Sequence, residues 1–331
     1  MGAIRGTPNS HALVRDSQGN VTDLNSPQKL VGWGAAYGIN DAGRVLGTMR
    51  SSVGIYTGNQ FRPLGGWDLM GAELLYSGDI NSAGRAVATD IRGGPSYYFA
   101  ASGEGTELVG ATGMAINNRG EVTSSCPELF IWKAESGLTR IALPEGFTSA
   151  RGQDITDGGV IAGSLYDRTT SRCRAFIDRA AAEIQALPLL APYDSRQALA
   201  VTEQGRAIGF AMDSSGPKGS GKPVLWDNGA ACDLNSLIPA DSGWVLGSVS
   251  DMSNSGYAAG YGWYHGRAEC FFLRPIPDPS GALMVFGAVT ALLLGRRRSV
   301  FTAAAGPAAR AGAGRPPAPG PPAGRSSSAR P

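Results

Sequence analysis

Histidine is scarce, with only His11 and His265 in 331 residues. Zinc hydrolases and Ser-His-Asp triads both draw on histidine, so neither chemistry has much material here. Cysteine is limited to Cys126, Cys173, Cys232 and Cys270, spaced 47, 59 and 38 residues apart. With no C-x-x-C pair, a zinc ribbon or thioredoxin-type site is excluded. Four buried thiols or one or two long-range disulfides remain, with Cys126 and Cys173 a candidate pair. Charged residues make up 17% of the chain, below the roughly 25% of an average soluble domain. Residues 275–331 hold seven arginines against one acid, Asp278, leaving residues 1–274 at a net charge of −4. An acidic body gives no electrostatic case for nucleic-acid binding. A Gly-x-Ser-x-Gly elbow and a spaced calcium-loop ladder of aspartates are both missing. Residues 1–30 contain no apolar signal-peptide core.

Glycine, by contrast, is abundant at 48 residues, while 42% of the chain is hydrophobic. Turn-rich β structure accounts for both, since glycine supplies positive φ in tight turns and apolar residues fill strands. A repeated heptapeptide organises them: Ile39-Asn40-Asp41-Ala42-Gly43-Arg44-Val45, Ile80-Asn81-Ser82-Ala83-Gly84-Arg85-Ala86 and Ile116-Asn117-Asn118-Arg119-Gly120-Glu121-Val122. Weaker copies run from Ile155 to Val160 (one residue short), Val201 to Ala207 and Met252 to Ala258. Their glycines lie 41, 36, 39, 46 and 51 residues apart. Each copy reads as a hairpin, with Asn, Asp or Ser starting the turn and glycine in its left-handed position. An aromatic strand follows each turn, as in Leu129-Phe130-Ile131-Trp132 and Pro223-Val224-Leu225-Trp226. A third run ends in leucine or isoleucine, as at Phe61-Arg62-Pro63-Leu64. A period of roughly 40 residues and four short strands predicts an all-β propeller of six to seven blades, with a β-solenoid as the alternative.

The first residues match the middle of a copy, since Gly2-Ala3-Ile4-Arg5-Gly6-Thr7 aligns with Gly43-Arg44-Val45-Leu46-Gly47-Thr48. The last copy, Gly256 to Leu273, shows two strands and no third. Met1 is therefore expected to be an internal or mis-assigned start, with a secretion signal further upstream.

The segments Ala35-Ala36-Tyr37-Gly38-Ile39-Asn40-Asp41-Ala42-Gly43-Arg44-Val45-Leu46-Gly47 and Ser10-His11-Ala12-Leu13-Val14 resemble the repeat of the HAF family of bacterial extracellular proteins. The resemblance covers about residues 2–273 and weakens in the fourth to sixth copies. It implies an extracellular location and a repeat fold rather than a particular reaction.

Residues 275–299 form a second module. Pro277-Asp278-Pro279 precedes an apolar run from Ala282 to Leu294, and Arg296-Arg297-Arg298 closes it. The run is shorter than the ~20 residues that span a bilayer comfortably as a helix. Arginines directly after it suit a cytoplasmic stop. The pattern is similar to the PEP-CTERM sorting signal, with Asp278 in place of the usual glutamate. That similarity implies an exosortase-type enzyme as partner, a transient membrane anchor, and release to the outer surface of a Gram-negative-type bacterium. Residues 300–331, rich in Ala, Gly, Pro and Arg, are expected to be disordered.

Candidate chemistry is thin. Gly216-Pro217-Lys218-Gly219-Ser220-Gly221-Lys222 imitates a phosphate loop, but Pro223 replaces the magnesium-holding Ser or Thr, and an aromatic strand follows instead of a helix. His11 opens an aromatic strand and reads as structural. Asp41, Asp79, Asp154, Asp157 and Asp251 lie at or beside the repeated turn, where capping is the expected role. Trp132 and Trp226 belong to aromatic strands and are expected in the core. Trp33, Trp67, Trp244 and Trp263 fall in glycine-rich connections, where they would pack on a blade or stack on sugar rings. No catalytic residue, metal or cofactor is expected. The functional expectation is a secreted binding or structural protein of the exopolysaccharide or biofilm matrix. An extracellular carbohydrate-active hydrolase or lyase, using two carboxylates at the centre of the ring, is the alternative.

Overall fold

A computed structural model describes residues 2–3, 11–16, 18, 20–25, 34–49, 52–65, 76–90, 95–125, 128–179, 183–213, 221–276 and 285–292. The chain is an all-β propeller. A first sheet contains β1 (Gly2–Ala3), β2 (Ala12–Arg15) and β3 (Val21–Asp23). Six four-stranded antiparallel blades follow. Blade 1 comprises β4 (Gly34–Ile39), β5 (Val45–Met49), β6 (Ser52–Thr57) and β7 (Gln60–Pro63). Blade 2 comprises β8 (Tyr76–Ile80), β9 (Ala86–Asp90), β10 (Ser96–Phe99) and β11 (Gly105–Glu107). Blade 3 has β12 (Thr112–Ile116), β13 (Val122–Ser125), β14 (Leu129–Lys133) and β15 (Gly137–Ile141). Blade 4 has β16 (Ser149–Ile155), β17 (Val160–Asp167), β18 (Arg172–Arg179) and β19 (Ile184–Ala186). Blade 5 is built from β20 (Ser195–Val201), β21 (Ala207–Met212), β22 (Gly221–Asp227) and β23 (Ala230–Asp233). Blade 6 is built from β24 (Trp244–Met252), β25 (Ala258–Tyr264), β26 (Arg267–Ile276) and β27 (Val285–Leu292).

The heptapeptide joins the first two strands of each blade. In blade 1 the Asn40 amide donates to the Arg44 carbonyl and the Gly43 amide to the Asn40 carbonyl. Gly43, Gly84, Gly120, Gly159, Gly205 and Gly256 all take positive φ, between 72° and 86°, where a side chain would be strained. The fourth copy is full length: Ile155 pairs with Ile161 as Ile39 pairs with Val45, so Val160 holds the place of Arg44.

The second strand of blade 1, flanked by two strands and packed between the first sheet and blade 2, is buried on both faces, whereas that of blade 6 exposes Tyr261 and Trp263. All five residues of β5 are buried, the polar Thr48 among them. Apolar clusters alternate with blades around the ring. One joins Ile208 and Leu225 of blade 5 to Trp244, Leu246, Met252 and Phe271 of blade 6. Each such large side chain, fully buried, is worth about 1.5–3 kcal/mol.

The last strand departs from the sequence reading. The sixth copy does have its fourth strand, and it is Val285–Leu292, from within the apolar run read as a membrane segment. It pairs along β26 from Cys270↔Leu292 to Ile276↔Val285. An uncharged apolar run satisfies its backbone either as a helix in lipid or against an open strand edge, and β26 presents such an edge. No helix among the described residues is long and apolar enough to cross a membrane. Pro277, Asp278, Pro279, Arg296, Arg297, Arg298 and residues 300–331 lie outside the described residues.

Candidate functional site

The five turn acids divide into two sets. Asp41 and Asp157 reach from one turn to another: Asp41 accepts from the Ser82 hydroxyl (2.6 Å), and Asp157 from the Asn118 amide (2.7 Å) and side chain (2.8 Å). Capping within a turn falls to the Asn itself. The Asn117 Oδ1 accepts from the amides of Arg119 (3.1 Å) and Glu121 (2.9 Å).

Asp79, Asp154 and Asp251 are not caps. They occupy the penultimate position of the innermost strands of blades 2, 4 and 6, where blades 1, 3 and 5 have Gly38, Ala115 and Ala200. Bulges precede this position in five blades, as between Gly152 and Asp154 and between Val249 and Asp251. A bulge turns the following side chain away from the regular alternation. Here it frees the small-or-acidic position while Ile155 and Met252, one residue later, stay buried.

Each carboxylate is held by backbone amides. Asp79 accepts from its neighbour Ile80 (2.8 Å) and from Ile116 of blade 3 (3.1 Å). Asp154 accepts from Ile155 (2.8 Å) and from Val201 of blade 5 (2.7 Å). Asp251 accepts from Met252 (2.7 Å). The carboxylates of blades 2 and 4 thus stitch each of these blades to the next.

Protein packed around these groups makes the charged form costly, and burial is the largest influence on all three. It raises Asp79 to about 6, with the Ile116 and Ile80 amides opposing and the Asp251 charge adding to the rise. Asp154 rises to about 7 through burial and the Asp251 charge, against the Val201 amide, with Asp79 adding a further push. Asp251 is also raised by burial, although its side chain remains open to solvent. Asp79 and Asp154 both feel the Asp251 charge, and Asp154 also that of Asp79, in keeping with their shared place on the innermost strands of the ring. Among the described residues no group of three or more His, Cys, Asp or Glu side chains is arranged to hold a metal ion.

The aromatic candidates separate differently. Trp244 and Trp263 sit on strands β24 and β25, not in connections. Trp244 is buried against Tyr264 and Phe271. Trp263 is exposed on the opposite face, edge-on to Tyr261 at 6.2 Å. Trp33 and Trp67 lie outside the described residues. Trp226 is fully buried, with its indole donating to the Pro188 carbonyl (3.0 Å), and Trp132 packs half-buried on Tyr98. His11 pairs with Asp23 at 2.7 Å, and His265 lies in the β25–β26 turn against Tyr264. Cys173 is half-buried on β18, while Cys126 lies outside the described residues; Cys232 and Cys270 are free thiols. Lys222 and Pro223 of the imitation phosphate loop are part of strand β22.

No protein-family model matches the chain, and no curated protein matches it. Among solved structures it is similar to virginiamycin B lyase from Staphylococcus aureus, at 10% identity and TM-score 0.49 over 77% of this chain and 85% of that one. A streptogramin B lyase gives 10% identity and TM-score 0.43 over 78% and 84%. A gluconolactonase from Xanthomonas campestris gives 12% and 0.36 over 63% and 74%.

Proposed function

We propose that this chain is an exported, surface- or matrix-associated propeller that binds its ligand without transforming it, an extracellular polysaccharide or other matrix component being the partner. The observation that carries this reading is the use made of the axial acids. Both oxygens of Asp79 and of Asp154 accept backbone amides from two blades. A general acid must aim its proton at a leaving group, whereas these carboxylates are oriented along the blade junctions. The PEP-CTERM-like segment supports export, with an exosortase-type enzyme acting near Pro277-Asp278-Pro279 and Arg296–Arg298 retained inside. A glycan array together with cell fractionation tests this. Selective glycan binding and a surface or matrix pool are expected; a wholly soluble internal pool with no glycan bound would overturn it.

One observation favours the second reading, a carbohydrate-active hydrolase or lyase. Acids raised to about 6 and about 7 hold protons where a catalytic acid needs them. Incubation with each bound polysaccharide decides between the two. Binding alone yields no new reducing ends and no unsaturated products, while an enzyme yields them and loses them in Asp79→Asn and Asp154→Asn.

A further inference from the structure

The outer strands of the blades follow one rule, and β27 breaks it. β7, β11, β15, β19 and β23 are three to five residues long, and each carries a charged or amide residue: Arg62, Glu107, Arg140, Gln185 and Asp233. Short, polar strands are how a solvent-facing sheet edge avoids unwanted pairing. β27 has eight residues, Val285-Phe286-Gly287-Ala288-Val289-Thr290-Ala291-Leu292, with Thr290 its one polar member. It nevertheless stands at the outer edge of its sheet. In sequence the apolar run continues on both sides, from Ala282 to Leu294, and Arg296-Arg297-Arg298 follows. Such a composition is a liability at an edge in water and suits a bilayer.

The pairing of β27 is uneven along its length. β25 backs β26 from Arg267 to Leu273. Beyond Leu273, Arg274, Pro275 and Ile276 pair with β27 alone among the described strands, opposite Ala288, Phe286 and Val285. The register shifts between Arg274 and Pro275, and Pro275 has no N–H to give to the ladder. The far end is better supported, because Cys270, opposite Leu292, also pairs with Tyr261 of β25. The weakly held end, Val285, is the one nearer Pro277-Asp278-Pro279 in sequence.

Water and lipid make exclusive claims on this backbone. As a strand, residues 285–292 give N–H and C=O groups to β26 and extend about 27 Å, at roughly 3.4 Å per residue. Within a bilayer every such group must bond inside the segment, as a helix, which shortens the eight residues to about 12 Å. Nothing is then left to pair with β26.

We propose that β27 is a detachable strand that shields the sorting segment. While blade 6 is closed, the segment is withheld from the membrane; a lipid bilayer draws it off β26, starting at Val285, to form the anchor. The choice of a bilayer as partner rests on the export reading above, whereas the strand pairing stands independently of it. A chain therefore completes blade 6 or offers its segment to membrane and processing enzyme, never both.

Leu292→Cys tests this by setting a thiol opposite the free thiol of Cys270. Directly opposed strand residues lie about 4.5–5.5 Å apart at Cα, a spacing that suits a disulfide. Oxidised, the full chain has β27 tied to β26; reduced, it does not. With vesicles of phosphatidylethanolamine and phosphatidylglycerol, the reduced folded chain is expected to float, and the oxidised one at least about tenfold less, with dithiothreitol restoring it. Hydrogen exchange on the outer edge of β26 should speed up on vesicles in the reduced chain only. Arg274→Cys with Ala288→Cys is a second lock should the first variant misfold. Failure of both disulfides to form in the folded chain would deny the pairing itself. The same full chain diluted from urea onto vesicles separates the two ideas, with Val289→Asp showing that binding runs through this segment. If the unfolded chain stays off the vesicles, the export reading falls and this proposal with it. If it binds while oxidised and reduced folded chains float equally, well or not at all, the exchange alone is overturned.

Discussion

Asn117 shows how much one repeated residue does. Its oxygen closes its own turn, and its nitrogen donates both to Glu121 (2.7 Å) and to the Thr156 carbonyl of the next blade (2.9 Å). Asn117→Ala is expected to cost about 2–4 kcal/mol, several buried hydrogen bonds at roughly 1 kcal/mol each, read as a shift in urea midpoint. Asn117→Asp keeps the acceptors, loses the donors and sets a carboxylate beside Glu121, so its penalty should grow as pH rises. The turn-forming half of this role was legible in Ile-Asn-x-x-Gly. The inter-blade half was not, because the partner lies 39 residues away. The same blindness merged Asp79 with Asp41: both border a turn in sequence, and only the assembled ring, which brings the Ile116 amide to Asp79, separates their roles.

Among elements, the strands after the turn in blades 1, 4, 5 and 6 carry a glycine with a specific neighbour. A Cβ at Gly209 would collide with the Gln197 carbonyl, which the bulge in β20 pushes towards it. Gly209→Val should therefore destabilise by about 3 kcal/mol, since a backbone carbonyl cannot yield as a flexible side chain does; thermal unfolding measures it. The fourth strand of blade 6 makes a separate prediction. Ending the chain after Ile276 removes β27 and leaves the edge of β26 open, so a lower melting temperature and concentration-dependent aggregation are expected by light scattering. Proteolytic removal of this segment at the cell surface would expose the same edge. Blade strands were readable from alternation and aromatic runs, while this one was not, because apolar length and flanking arginines suit a bilayer equally well.

Across the whole molecule, the three axial acids couple the blades to pH. Their native-state proton affinities are raised, Asp79 to about 6 and Asp154 to about 7, so the folded chain binds protons that the unfolded chain releases. This contribution is fully present below the unfolded carboxylate value of about 3.9 and is lost as pH rises through the folded values. Glu121, lowered by Lys133, Asn117 and Arg119 against the cost of burial, works oppositely and is lost only in more acidic solution. Stability should accordingly be greater near about pH 5 than near about pH 8. Asp154→Asn should flatten that difference, as denaturant titrations at both pH values would reveal. A pH 5–8 difference unaltered in Asp154→Asn would rule out this origin.

The sequence by itself determined the repeat, its turn chemistry and the propeller class, because those depend on residues close together in the chain and on backbone conformations that glycine and asparagine favour locally. Only the tertiary structure decided where the acids lie, which aromatics are buried and what completes blade 6. These are relations between residues tens of positions apart, created when blades pack side by side, and neither composition nor spacing encodes that neighbourhood.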